Sequence, residues 1–185
     1  MKIALWSMLR RRRSKLFEFK CRPTGRFAGF VMDASPSLVL LHRLDLDTFT
    51  LNGFTALAQA DISEWRCLDR QAYWQLRAAE HFRLVPANVT NIPLASFGDL
   101  LGCPTLATRL VTINRARIRP DVCYIGLVER VTEREVTLQD LNCNAEWTGR
   151  RRLRLADVTS VDFDDGYLRA LEATAPDRAQ LKRIA

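Results

Sequence analysis

The feature that most constrains this sequence is an internal repeat. Three short groups in the first half recur 97 positions later, and a fourth recurs 96 positions later. The groups keep their order and the offset drifts by one residue, as in a diverged duplication. They pair as Gly29-Phe30-Val31 with Gly126-Leu127-Val128, Ala34-Ser35 with Val131-Thr132, Val39-Leu40-Leu41 with Val136-Thr137-Leu138, and Ala60-Asp61-Ile62-Ser63 with Ala156-Asp157-Val158-Thr159. The repeat predicts two similar units and is silent about their chemistry.

The first unit has the pattern of a small antiparallel barrel. Apolar residues at Phe17, Phe19 and Cys21 alternate with charged ones, which is typical of a strand. Further strands are predicted at 27–33, 38–44, 49–57 and 62–67, and the Asn52-Gly53 break in the fourth marks a bulge or bend. Five short strands in about 50 residues predict a strongly bent antiparallel barrel.

The second unit repeats this pattern with one addition. Strands are predicted at 110–113, 124–131, 135–141, 151–155 and 159–163, followed by a helix from Tyr167 to Thr174. Before Pro120, arginines alternate with Ala116 and Ile118, which predicts three guanidinium groups on one face of an extended segment. These three residues are Arg115, Arg117 and Arg119.

A helical connector is predicted between the units. Apolar residues from Leu68 to Phe82 recur at helical spacing, so we expect Leu68, Leu76 and Phe82 to be buried against a barrel. The predicted fold is therefore mainly β with an α connector, built from two tandem Sm-like or SH3-like small antiparallel barrels and a short C-terminal helix. Its predicted segments are a basic N-terminal arm at 1–15, a first barrel at 16–67, the connector at 68–108, a second barrel with its helix at 109–175, and a tail at 176–185.

Composition and spacing exclude several classes of protein. The five cysteines lie far apart with no C-x-x-C pair, so neither a disulfide framework nor a zinc knuckle is predicted. No apolar run approaches the roughly 20 residues that span a bilayer. The apolar start followed by Arg10–Arg13 reverses the order of a signal peptide. We therefore expect a cytoplasmic protein without a membrane span, and we expect residues 1–13 to be poorly anchored.

Positive charge is concentrated in two clusters. Residues 1–60 hold 10 basic and 4 acidic side chains, which accounts for most of the net charge of +7. Such a segment suits nucleic acid, acidic lipid or an acidic protein, and it is equally typical of a solvated chain terminus. The first candidate cluster comprises Arg10, Arg11, Arg12, Arg13, Lys15, Lys20, Arg22 and Arg26. The second comprises Arg115, Arg117, Arg119, Arg150, Arg151, Arg152 and Arg154.

Catalytic motifs are not found in the sequence. It has no nucleophile elbow, phosphate-binding loop, dinucleotide fingerprint or metalloprotease helix. The two histidines, His42 and His81, fit structural or exposed positions. We therefore predict no enzyme, no cofactor and no metal site. The four tryptophans are predicted to pack in the core or against a helix rather than to stack on bases, with Trp6 and Trp147 as the exceptions.

The segments Gly29–Val31, Leu38–Leu41 and Leu51–Phe54 resemble the Sm-like small barrel. In the second half, residues 120–126 and 156–158 are similar to an uncharacterised bacterial family in which such a barrel recurs in tandem. The Sm-like resemblance implies binding of uridine-rich RNA inside rings. Two positions depart from the family pattern: Ser37 lies where an Asn or Asp contacts RNA, and Asn52-Gly53 replaces an Arg-Gly motif. The family's RNA pocket is therefore not carried over to this chain.

These observations predict a non-enzymatic binding module. One hypothesis is a nucleic-acid binder, with RNA as the expected class, that uses the two basic clusters. The alternative is a protein-interaction adaptor or inhibitor module, because small barrels offer edge strands and grooves for either use.

Overall fold

The computed structural model describes residues 5–68, 74–87, 89 and 91–176. The described helices are α1 (Leu5–Arg10), α2 (Trp74–His81), α3 (Phe97–Leu101) and α4 (Gly166–Thr174). The described strands are β1 (Leu16–Cys21), β2 (Gly25–Ala34), β3 (Leu38–Asp45), β4 (Thr50–Ala58), β5 (Ile62–Cys67), β6 (Leu110–Asn114), β7 (Cys123–Val131), β8 (Glu135–Leu141), β9 (Trp147–Arg154) and β10 (Ser160–Phe163). The fold is mainly β, as predicted, with the expected C-terminal helix.

All ten strands join in one antiparallel sheet with the order β5-β1-β2-β3-β4-β10-β6-β7-β8-β9. Strands β4 and β10 make the junction between the halves, where Phe54 lies opposite Phe163 and Thr55 opposite Asp162. The sheet remains open, in contrast to the predicted pair of separate barrels. Because β10 occupies the outer edge of β4, that edge is not available to β5, and β5 and β9 lie at the two ends of the sheet.

The two halves repeat the same strand pairing. Gly29 of β2 lies opposite Arg43 of β3, and Gly126 of β7 lies opposite Asp140 of β8. A register shift follows each glycine at the same distance, between Val31 and Asp33 in β2 and between Val128 and Arg130 in β7. The predicted equivalence of the two glycines is thereby confirmed.

Close approach of neighbouring strands explains why both positions are glycine. A Cβ atom at Gly29 would lie 2.5 Å from the backbone oxygen of His42, and one at Gly126 would lie 2.2 Å from that of Gln139. Both distances are shorter than any ordinary van der Waals contact, and both obstructing atoms belong to the sheet backbone. A side chain here would force the strands apart.

The junction between the halves has an apolar core and several buried polar residues on β4 and β10, among them Thr55 and Ser160. Residues 94–106 pack there together with strands of both halves, and Leu100 and Leu106 are fully buried. Asp162 is also buried, and it accepts hydrogen bonds from Thr55 Oγ1 at 2.6 Å and Asn114 Nδ2 at 2.8 Å. Burial raises the pKa of Asp162, although these two bonds act in the opposite direction. The connector therefore stabilises the pairing of β4 with β10.

The N-terminal segment is anchored from Leu5 onward. Leu9 of α1 is fully buried in a cluster that includes Phe17, Phe19 and Leu41. The expectation that residues 1–13 are poorly anchored is therefore wrong for 5–13, while 1–4 lie outside the described residues. The described apolar residues of this segment, Leu5, Trp6, Met8 and Leu9, are stabilised by the sheet face against which they pack.

The first part of the connector packs less closely than predicted. Leu68 is buried, but Leu76 is only half-buried and Phe82 is 58% exposed. The predicted helix at 68–82 is observed over Trp74–His81, and 69–73 lie outside the described residues. Trp74 packs on Phe49 of the β3–β4 turn at 5.2 Å between ring centroids, in line with the predicted packing against a helix, although it is 55% exposed. Trp65 lies 6.2 Å from the Phe17 ring but is 46% exposed, so it is not in the core.

The two tryptophans named as exceptions lie against protein instead. Trp6 packs on the cluster around Leu9, and Trp147 Nε1 donates a hydrogen bond to the backbone oxygen of Pro176 at 3.0 Å. The amphipathic α1 and the end of α4 cover these two rings. Local sequence periodicity indicates neither contact, because each joins segments that are separated along the chain.

Candidate nucleic-acid interface

Four residues of the first basic cluster form ion pairs that hold the fold together. Arg10 and Arg13 contact the carboxylate of Asp33 at 3.4 and 2.5 Å and tie the end of α1 to β2. Burial raises the pKa of Asp33, but hydrogen bonds from Arg13 and Ala34 and the charges of Arg13 and Arg10 outweigh it, so the pKa is lowered. These two guanidinium groups are therefore engaged within the protein.

Two more basic residues of the first cluster, both on the hairpin of β1 and β2, form ion pairs within the protein. Lys20 Nζ lies 2.7 Å from Glu64 Oε1 on β5, and Arg26 bonds to the buried carboxylate of Glu18. Arg66 Nη2 donates to the same carboxylate at 2.8 Å. In the described part of the chain, four members of the first cluster have no ion pair with a carboxylate: Arg11, Arg12, Lys15 and Arg22. The first cluster is thus divided over α1, a turn and a hairpin.

The second cluster begins in a turn rather than in a strand. Strand β6 ends at Asn114, and the N–H groups of Ile118 and Arg119 both donate to the backbone oxygen of Arg115. The predicted single face of three arginines is therefore wrong, because a helical turn points successive side chains in different directions. The three guanidinium groups consequently have separate roles.

Arg117 joins the two halves of the protein. Its Nη1 lies 2.7 Å from Asp61 Oδ1 in the first half, and its Nη2 donates to the backbone oxygens of Ala156 and Val158 in the second. These contacts use the donors of the guanidinium group. We therefore remove Arg117 from the candidate binding residues.

Strand β9 carries a row of arginines along the open edge of the sheet. Arg150, Arg152 and Arg154 occupy alternate positions and share one face. Arg150 Nε contacts Glu129 at 2.8 Å and Arg154 Nε contacts Asp157 at 3.0 Å, yet their side chains remain 75% and 68% exposed.

Arg152 lies between them and has no ion pair with a described residue. Its cross-strand neighbour is Thr137 of β8, which carries no charge. This row is the most exposed concentration of the predicted arginines.

A groove with a volume of about 720 Å³ lies on the second half. Its walls include Arg115, Arg119, Tyr124, Arg151 and Tyr167. The guanidinium carbons of Arg115 and Arg151 lie 5.9 and 5.2 Å from the centroid of the Tyr124 ring, within the range of cation–π contacts. The turn at 115–119 and strands β7 and β9 thus place two predicted arginines over one tyrosine ring, with Arg119 in the wall of the same groove.

Carboxylates orient two of these guanidinium groups. Arg151 donates from Nε and Nη2 to Asp140 Oδ2 at 2.9 and 2.6 Å, and this hydrogen bonding raises the pKa of Arg151. Arg115 Nη2 donates to Asp157 Oδ2 at 2.6 Å. Such contacts fix the position of a guanidinium group. Arg151 remains 45% exposed, whereas Arg115 is only 17% exposed and its Nε is buried without a partner among the described residues.

The second-half surface retains an excess of positive charge. It combines the groove and the row on β9, with Arg119 and Arg152 outside any ion pair to a described residue. Over residues 115–157, nine arginines stand against seven carboxylates, which leaves an excess of two positive charges.

The sequence reasoning missed Tyr124 and Tyr167. Tyr167 is 50% exposed on α4, whose position over the second half depends on packing of Leu168 and Leu171. The alternation of strand β7 was a usable signal for Tyr124 because it predicts which residues share a face. No signal in the sequence indicates that both rings lie in one groove.

The remaining polar chemistry is structural. His42 Nδ1 accepts a hydrogen bond from the Ala87 N–H at 3.1 Å, and its ring stacks on Phe54. Burial lowers the pKa of His42. His81 packs edge-on against Phe82. Over the described ranges, no three His, Cys, Asp or Glu side chains are arranged to hold a metal ion.

Comparison with known proteins adds no relative. No family model matches the chain, and neither the curated proteins nor the solved structures include a significant match. Among the helices that the structure describes, none has the length and apolar character needed to cross a membrane.

Proposed function

We propose that this protein is a non-enzymatic module that binds single-stranded nucleic acid, with RNA as the expected class, on the surface of its second half. The observation that carries the proposal is the edge strand β9, which presents a row of arginines on one face of the sheet and contributes Arg151, on the other face, to a groove with an Arg–Tyr–Arg cluster. This location differs from the N-terminal arm that the charge distribution favours, because much of the first cluster is engaged in internal ion pairs.

The geometry of β9 suits a chain of phosphates. Alternate residues of a strand are separated by about 6.6 Å, twice the rise per residue. Arg150, Arg152 and Arg154 therefore present successive guanidinium groups in a line, and arginine forks bind phosphate oxygens well. Nucleic acid that wraps around the edge of the sheet at β9 would bring its bases to the groove on the other face, where the exposed ring of Tyr167 offers a stacking surface.

The carboxylates around the surface set the expected strength of binding. Glu129, Asp140 and Asp157 neutralise part of the positive charge, so each phosphate contact competes with an internal ion pair. We therefore expect moderate affinity at low salt and a marked loss of affinity at physiological salt.

We also propose that each half derives from an Sm-like small barrel that has opened and joined its neighbour through the pairing of β4 with β10. The repeated register of β2 with β3 and of β7 with β8 supports this view of the architecture. The family's RNA pocket is not part of the proposal. Asn52, at the divergent motif, accepts a hydrogen bond from the Gly166 N–H at 2.8 Å and so belongs to the contact between the halves.

The test is a salt titration of oligouridine binding, followed by fluorescence anisotropy. The variant Arg150→Gln/Arg152→Gln should lower the slope of log K against log salt by about 1.4, since each lost contact to a single strand is worth about 0.7. The matched control Arg11→Gln/Arg22→Gln removes the same charge from the first cluster and should leave the slope unchanged. An equal effect of both variants would place the site elsewhere, and no binding at low salt would reject the proposal.

A second candidate function is strand-mediated binding of a protein partner. The open edge of β5 favours it, because Trp65 is 46% exposed there while the equivalent edge of β10 is covered by β4. This candidate predicts that Trp65→Ser abolishes partner capture from an extract without changing oligonucleotide binding. An unchanged set of captured proteins would contradict it.

A further inference from the structure

We infer that the first half contains a binding cavity for a free amphiphile with a carboxylate head group and an acyl tail. The cavity has a volume of about 670 Å³ and lies between α2 and the sheet. Ligand sites in proteins typically enclose about 300–1,000 Å³ and combine apolar walls with a few polar groups. The inference does not depend on the proposed nucleic-acid function, whose surface is on the other half.

The walls of the cavity are apolar. Leu16 and Phe30 contribute from the sheet, and Leu76, Ala79 and Leu84 contribute from α2 and the segment after it. These five side chains belong to one hydrophobic cluster of the first half. A linear hydrocarbon chain is the kind of ligand that such a surface removes from water, at about 0.8 kcal/mol per buried CH₂.

Packing indicates why the space is open. Ala79 is the one fully buried residue of α2, and Leu76 is only partly buried against the same cluster, so the helix packs loosely on the sheet. The outer side of α2 is attached to the β3–β4 turn, where the Phe49 ring lies 5.2 Å from Trp74 and 6.0 Å from Phe82. The space is a partly open cleft rather than an interior void, so a ligand can enter it from solvent and cover its apolar walls.

The mouth of the cavity selects the head group. Arg12 and Lys15 line it, and neither forms an ion pair with a described residue, whereas the adjacent Arg10 and Arg13 share Asp33. Glu80 also lines the mouth. The two positive charges of Arg12 and Lys15 exceed its one negative charge, so the net charge at the mouth favours an anionic head group. An arginine fork and an ammonium group together match a carboxylate.

The experiment uses the full chain with dodecanoate and, as a neutral match, dodecanol, each titrated calorimetrically. We expect saturable binding of one dodecanoate per chain. Ala79→Leu fills the cavity with a larger side chain and should weaken both ligands at least tenfold. Arg12→Gln/Lys15→Gln should weaken dodecanoate about tenfold and leave dodecanol unchanged, and Arg11→Gln/Arg22→Gln should change neither.

A second measurement requires no substitution. Cys67 lines the cavity and Cys143 lies exposed on the other half. Bound dodecanoate should slow the alkylation of Cys67 without altering that of Cys143. Absence of saturable binding, equal affinity of all variants, or equal alkylation rates with and without dodecanoate would each overturn the inference, as would binding only to anionic vesicles.

Discussion

Replacement of Gly126 by alanine tests the strand packing that the repeat imposes. The added Cβ would lie 2.2 Å from the backbone oxygen of Gln139, so β7 and β8 must separate by about 1 Å to reach ordinary contact. Overpacking costs about 1–3 kcal/mol, and the obstructing atom here belongs to a hydrogen-bonded strand. We expect Gly126→Ala to lower the free energy of unfolding by about 3 kcal/mol, and Gly29→Ala by about 2 kcal/mol because its contact is slightly longer.

The matched control is Gly98→Ala in α3. There the added Cβ meets the end of a flexible side chain, Leu155 Cδ1, at 3.3 Å, and alanine favours a helix by up to about 1 kcal/mol. Its stability should therefore stay within about 0.5 kcal/mol of the natural protein. Urea unfolding followed by circular dichroism, with the slope m held equal among variants, provides the comparison. A loss at Gly126 no larger than that at Gly98 would refute the packing argument.

Three further predictions concern buried groups. Leu9→Ala should cost about 2–4 kcal/mol in urea unfolding because Leu9 of α1 is fully buried against the sheet; a loss below about 1 kcal/mol would show that α1 is dispensable. Burial raises the pKa of Asp162, so the folded state holds its proton more tightly and stability should fall as pH rises above about 3.8. Asp162→Asn should remove this fall, and the melting temperatures at pH 4 and 7 will show whether it does. For Glu18, burial raises the pKa, but hydrogen bonds from Arg66 and Arg26 outweigh it and lower the pKa. The stability lost in Glu18→Gln should thus be largest at neutral pH and should shrink as pH falls below about 4.5; a pH-independent difference would contradict this.

Local patterns in the sequence predict the strands and the repeat well. The bounds of β5 and β8 agree with prediction, and the equivalence of Gly29 and Gly126 is observed as strand register. These features depend on period-two alternation and on glycine positions, which are local properties. The pairing of β4 with β10 joins residues more than 100 positions apart, and no local pattern indicates such a contact.

The candidate site was predicted in part. Arg150, Arg151 and Arg152 were predicted as candidates from their charge, and they lie on the edge strand β9. Arg117 was predicted on the same basis, but it joins the two halves through Asp61. The alternation of arginines at 115–119 predicted an extended segment, but the residues before Pro120 form a helical turn. Residue type identifies a cation, but only tertiary contacts show whether a carboxylate already holds it.

Photo-crosslinking tests the central claim most directly. Oligonucleotides that carry 4-thiouridine would be irradiated with the full chain at low salt, and the linked peptides identified by mass spectrometry. We expect cross-links within residues 115–124, 147–154 and at Tyr167, which line the groove and β9. Cross-links confined to residues 5–26 would contradict the account and would return the interface to the first basic cluster.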